Sequence, residues 1–394
     1  MVPKGWMLLQ VSDICKLQNG NSFKPHEWDT KGLPIIRIQN LNGSGNYNYF
    51  SGVPQDKWLV EPGQLLFSWA GTKGVSFGPF IWNGPKGVLN QHIYKVFANE
   101  NVHEHWLYLA LLHITQKIEA QAHGFKSTLL HVQKKDIDNQ FVLTPPVAEQ
   151  KKISQILSTW NKAISVTEKL LANSQQQKKA LIQQLLTGKK RLLDENGVRF
   201  SGEWCTCTLS EVAHIIMGSS PKSEAYNDNG LGLPLIQGNA DIKCRVSCPR
   251  VYTSDITKEC TPGDILLSVR APVGTVALSQ HKACIGRGIS AIKSKRKMSQ
   301  SFLYQWFLWF EPKWCYLSQG STFESINSDD IKTLKLSVPN FEEQQKIAAV
   351  LSAADTEIST LEKKLACLKN EKKALMQQLL TGKRRAKVDE AVAV

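Results

Sequence analysis

The densest run of chemically active side chains is basic. Lys282, Arg287, Lys293, Lys295, Arg296 and Lys297 lie in a stretch, Gln280–Gln300, that holds no Asp or Glu. Arg270 precedes it in a Pro/Gly loop after the apolar run Gly263–Val269, and the matching loop in the first half, Trp69–Lys73, carries Lys73. A guanidinium on such a loop can bond O6 and N7 of a guanine in the major groove, while lysines neutralise phosphates. Lys126-Ser127-Thr128 and Gly320-Ser321-Thr322 make small-residue turns whose hydroxyls and amides could hold a phosphate. For each residue taken singly, an exposed charge with no role stays open.

Other chemistry finds no support. There is no GxxxxGK[ST] phosphate loop. The glycines of Cys284-Ile285-Gly286-Arg287-Gly288 lack the strand–turn–helix spacing of a dinucleotide site. Thr144-Pro145-Pro146-Val147 lacks the Asn or Asp and the aromatic residue that an amino-methyltransferase sets beside its target amine. Glu362-Lys363-Lys364 holds a Glu-x-Lys, but on a predicted helix, where it is a solvated charge run. Cys205, Cys207, Cys244 and Cys248 have no counterparts in the first half, and neither C-x-C nor C-x₃-C is a strong zinc spacing. No metal site and no catalytic residue are expected, and no cofactor in this chain.

The 394 residues exceed one ordinary core, and 42% hydrophobic content suits globular domains. The formal charge of +14 is spread along the chain, with +3 over 1–148, +6 over 149–200, +3 over 201–338 and +2 over 339–394. Such a field favours a polyanion, although an inert basic surface also fits. Nine cysteines without a repeating framework read as reduced and cytoplasmic. The start, MVPKGWMLLQ, has no apolar core long enough for a signal peptide, and no stretch is long enough to span a membrane.

What must position these side chains is an internal duplication. KKALIQQLLTGKKR at Lys178–Arg191 returns as KKALMQQLLTGKRR at Lys372–Arg385, an offset of 194. Pro145, Glu149, Gln150, Lys152 and Ile153 pair with Pro339, Glu343, Gln344, Lys346 and Ile347 at that offset. Weaker matches precede each helix: Leu33-Pro34-Ile35-Ile36 with Leu233-Pro234-Leu235-Ile236, and Glu61–Leu66 with Thr261–Leu266, both at 200. The drift means insertions in loops between common elements. Each arm is expected to hold short strands and one helix, His105–Ala120 and Ser301–Phe310, with Trp306, Phe307, Trp309 and Phe310 as core.

After Pro146 and Pro339 come long runs free of Pro and Gly, ending at Gly188 and Gly382 as glycine C-caps would. The seam positions recur in alternating steps of 4 and 3, and the apolar residues on them are Ile153, Leu157, Ile164, Leu171, Leu181 and Leu185, then Ile347, Leu351, Ile358, Leu361, Leu365, Leu368, Leu375 and Leu379. That is a coiled-coil seam, each helix about 60 Å long. Thr167, Ser174 and Lys178 make the first copy a poor partner for itself, so the two copies are expected to pair within the chain. Lys178 and Lys372 sit at seam positions, either to specify register or to snorkel out. The expected fold class is α+β: two similar mixed α/β domains with curved sheets, separated by two long antiparallel coiled-coil helices about a pseudo-twofold. The expected domains are 1–144 and 193–338, with helices in 145–192 and 339–386 and a disordered tail, 387–394.

Two arms, each followed by a proline, a Glu-Gln dipeptide, an Ile-rich helix and a KKALxQQLLTGKxR end, resemble the specificity subunit of type I restriction–modification systems. The resemblance covers essentially the whole chain; Asn340 in place of a second proline, and Trp160-Asn161 in place of Ala354-Asp355, are its small departures. It implies that the arms are target recognition domains, each reading half of a bipartite, interrupted sequence in double-stranded DNA, and that the helices set the gap. It implies as partners two modification subunits, which bind S-adenosylmethionine and methylate adenine, and restriction subunits that use ATP and Mg. It also implies that this chain is not itself an enzyme. The residues alone also fit a scaffold that joins two partner proteins and never touches DNA.

Overall fold

The computed structural model describes residues 2–121, 129–314 and 325–388. The turns at Lys126-Ser127-Thr128 and Ser321-Thr322, and residues 389–394 of the expected tail, lie outside the described residues. The chain forms two compact units. One joins Met1–Thr167 to Lys364–Val394, and the other is Glu168–Lys363.

In the first unit a four-stranded sheet runs in the order Cys15–Asn19, Ile93–Ala98, Leu65–Ser68, Gly78–Ile81, all antiparallel. A second sheet runs Tyr49–Phe50, Leu33–Ile36, Gly87–Leu89, Leu59–Val60, and its central pair is parallel. The second unit repeats both orders. Ala213–Met217, Ile289–Ser294, Ile265–Ser268 and Val276–Leu278 form the first sheet, which Val246–Ser247 and Ile242–Lys243 extend. Val251–Thr253, Leu233–Ile236, Ala283–Ile285 and Glu259–Cys260 form the second, which gains Tyr226–Asn227. Ile35, Ile36, Leu266 and Leu267 are fully buried, so consecutive residues of these strands are covered on both faces and the runs are apolar, not alternating.

Each unit packs one helix on its sheets. Glu104–Gln121 buries Trp106, Leu107, Leu111 and Ile114. Gln300–Phe310 buries Phe302, Leu303, Trp306 and Phe307, with Trp309 and Phe310 half-buried against them. The latter starts one residue earlier than the spacing predicts, because Ser299 is its N-cap and accepts from the Phe302 N–H.

The two long helices are Val147–Leu185 and Phe341–Leu380, 39 and 40 residues. They pack together, and each contributes to both units. In the first unit Ile153 and Leu157 share a core with Met376, Leu379 and Leu380. In the second, Leu185 and Leu186 share one with Ile347, Ala348 and Leu351. Within the second unit Ser174 bonds Glu357, Lys178 bonds Asp355 and Arg191 bonds Glu343. Partners descend one helix as they climb the other, so the pairing is antiparallel. Ile164, Leu171, Leu181, Ile358, Leu361, Leu365, Leu368 and Leu375 are half-buried, between exposed Gln, Glu and Lys residues. Both helices end on a left-handed glycine, Gly188 with φ 69° and Gly382 with φ 67°. At each end a further bond, Lys190 N to Gln184 O (3.0 Å) and Arg384 N to Gln378 O (3.1 Å), closes the last turn.

Candidate nucleic-acid interface

The Glu-Gln dipeptide fastens each arm to the start of its helix. The Gln150 side chain accepts from His103 N at 2.8 Å and donates to Pro145 O at 2.9 Å. Gln344 does the same with Ser299 N and Pro339 O, both at 2.9 Å. The glutamates take the arginine that closes the other helix. Arg385 grips Glu149 through Nε (2.8 Å) and Nη2 (2.7 Å), and Arg191 grips Glu343 through Nε (2.7 Å) and Nη2 (2.6 Å). Such forks are the strongest form of charged hydrogen bond. Burial pulls the Glu149 carboxyl upward, but Arg385, the Trp6 indole N–H and the Ala386 N–H outweigh it and hold it below its usual range. The bond to Glu343 raises Arg191, and that to Glu149 raises Arg385. Sequence reasoning saw these four residues only as repeat markers; their shared offset of 194 was the available signal.

The basic run is not one site. Arg287 lies in the turn before the strand Ile289–Ser294, and Lys295, Arg296 and Lys297 lie beyond its other end. Six strand residues put roughly 20 Å between them. Lys295 is half-buried and donates to Ser210 O at 2.5 Å. Lys297 has φ 68°, and its carbonyl accepts from Gln344, so this end sits at the root of the arm. Lys293 is exposed on the strand, opposite His214. Lys282 pairs with Glu259 at 3.2 Å. In the first arm Lys73 donates to Glu119 O at 2.6 Å, which commits its ammonium to the end of the helix Glu104–Gln121.

Arg270 and Arg287, by contrast, are neighbours and exposed. The Val269 N–H donates to Gly288 O at 2.9 Å, Ile326 N donates to Val269 O at 2.9 Å, and Arg270 bridges Ser325. Three segments therefore meet at one junction, with a guanidinium on each of two of them. Two exposed guanidiniums on adjacent segments, with no carboxylate bonded to either among the described residues, suit guanine O6 and N7 or a pair of phosphates.

The first arm builds the same junction from other residues. Trp69 N donates to His92 O at 3.1 Å, Val132 N to Trp69 O at 3.0 Å, and Ala70 pairs with His131. A glycine in each arm pins the middle segment. A Cβ on Gly20 would lie 2.2 Å from Asn90 O, and one on Gly218 would lie 2.1 Å from Gly286 O. At this junction the Trp69 ring lies 4.7 Å from His131, 4.9 Å from His92 and 5.9 Å from Tyr94. Burial, then the nearby His131, lowers the His92 pKa. Sequence reasoning missed this group because it spans three separate segments.

Among the described residues no group of three or more His, Cys, Asp or Glu is arranged to hold a metal, and no helix is long and apolar enough to cross a membrane. A family model described as the type I restriction modification DNA specificity domain matches residues 3–173 and again 201–370. The chain belongs to this family. It is a specificity subunit, the non-catalytic component of a type I restriction–modification enzyme, and its role is target recognition within that complex. A putative type I restriction enzyme specificity subunit of Methanocaldococcus jannaschii is 32% identical, over 98% of this chain and 95% of that protein. The fold matches a chain from a solved type I restriction–modification system, with TM-score 0.63, 24% identity and coverage of 96% and 98%. It also matches the S subunit of M. genitalium, with TM-score 0.61, 15% identity and 96% of each chain covered.

Proposed function

We propose that this specificity subunit reads a bipartite, interrupted target in double-stranded DNA, one half-site per arm. Residues 1–144 and 193–338 are then the target recognition domains, 145–192 and 339–386 the spacer helices that set the gap, and 387–394 a tail. In this reading the subunit carries no cofactor. It docks two modification subunits that methylate adenine from S-adenosylmethionine, and restriction subunits that use ATP and Mg, in the cytoplasm. The observation that carries the reading is the repeated junction: one three-segment crossing occurs in both arms, and exposed Arg270 and Arg287 flank it in the second. Lys293, Arg296 and Lys297, together with Lys126, Ser127, Thr128, Ser321 and Thr322, are proposed as backbone contacts, while Lys73 and Lys295 already have partners within their arms. The test is to purify the chain with its modification subunits and map the adenines methylated on random duplexes. One asymmetric, interrupted sequence with an adenine marked in each half is expected. Equal methylation of scrambled duplexes would overturn the reading.

A further inference from the structure

The repeat aligns the two junctions position by position, and the chemistry differs at most of them. Trp69, His92 and Val132 make the backbone bonds that Val269, Gly288 and Ile326 make in the second arm. Ala70 therefore stands where Arg270 does, and His131 where Ser325 does. Gln91, the residue before His92, stands where Arg287 precedes Gly288. Register in the sheets adds three more pairs. Tyr94 lies opposite Phe67 and Asn19, as Ser290 lies opposite Leu267 and Met217.

The second arm thus has small or aliphatic residues in the middle, Val269, Gly288, Ser290 and Ser325, and a guanidinium on either flank. The first arm has neither arginine. It has an indole, two imidazoles and a primary amide. Two features mark this group as built for more than packing. His92 holds φ 72°, a left-handed conformation rare for a residue with a Cβ, which its counterpart Gly288 does not adopt. His131 is exposed, and His92 and Gln91 are half-exposed, so polar atoms of the cluster face solvent instead of the core. Asn19, also exposed, accepts from Trp69 Nε1 at 3.3 Å and fixes the indole's orientation.

We propose that Gln91, His92 and His131, set around Trp69, form the base-reading site of the first arm, and that it selects its half-site without arginine. This rests on the reading of the chain as a two-armed DNA specificity subunit. An amide can give and take hydrogen bonds with adenine N6 and N7, and an imidazole can donate to base acceptors. The two arms then read unlike half-sites through one piece of architecture: guanidinium donors in the second, and a mixed donor–acceptor surface with an adenine preference in the first.

The test uses the complex with its modification subunits and random duplexes carrying all variants of both half-sites. The variants are Gln91→Ala, His131→Ala and His92→Gly, the last taking the residue the second arm already tolerates. Each is expected to relax the first half-site at one or two positions, roughly tenfold for loss of the bidentate amide, while the second half-site stays as in the wild type. An unchanged first half-site in all three variants would overturn the proposal. So would a uniform weakening over all sequences with a salt slope lower by about one, which marks a phosphate contact. If the wild-type complex itself methylates without sequence preference, the underlying DNA reading fails, and this site with it.

Discussion

Burial alone would push the Glu149 carboxyl up, yet Arg385, Trp6 and Ala386 bring it below its ordinary value of 4.5. A carboxylate whose folded pKa is depressed contributes stability above its unfolded pKa, and that contribution is lost as pH falls through the lower folded value. Glu149→Gln is therefore expected to cost about 2 kcal/mol at neutral pH, and to flatten the acid limb of stability below about pH 4.5. Denaturant unfolding across pH checks both, and wild-type stability at pH 7 would refute the fork's role. The seam lysines differ. Lys178 is paired with Asp355, which also accepts from Gln305 at 2.9 Å. The repeat puts neutral Asn161 at the equivalent position for Lys372, whose pKa burial lowers. Asn161→Asp should raise stability by roughly 0.5–1 kcal/mol, read as a higher Tm; an equal or lower Tm would refute the pairing. At the proposed DNA face, Arg270→Ala and Arg287→Ala are each expected to relax only the second half-site, at a cost of roughly 1–3 kcal/mol for a guanine contact. An unchanged methylation map would remove that residue from the site.

The long helices carry the clearest sequence signal and the most direct test. Inserting a whole turn of four residues before Gln183 adds about 6 Å of helix. The recognised gap should lengthen while both half-site sequences keep their letters, as mapped by methylation. Changed letters would break the separation of reader from spacer. These helices were legible because steps of 4 and 3 from Ile153 and from Ile347 persist over the full run, and because Gly188 and Gly382 mark the stops. The strands Leu33–Ile36 and Ile265–Ser268 were legible from short apolar runs after Pro and Gly. The site was less so. Neighbours in sequence such as Arg287 and Lys295 are divided by a strand, whereas Trp69, His92 and His131 meet only through tertiary crossings. Period and composition carry no trace of such a meeting.

At the scale of the whole chain the governing quantity is charge. A formal +14 spread over both arms and both helices predicts that DNA affinity falls linearly in log salt, because neutralised phosphates release counterions. Titrating the complex from low to physiological salt measures this. A flat line with partner binding retained would favour the protein-only scaffold. The division into units has another effect. The second unit is one continuous segment, Glu168–Lys363, whereas the first needs Met376, Leu379 and Leu380 to complete its core. Those residues leave the ribosome after the whole of the second unit. Ile153 and Leu157 therefore wait on the nascent chain without these partners, and the half that is translated first is the half that is finished last.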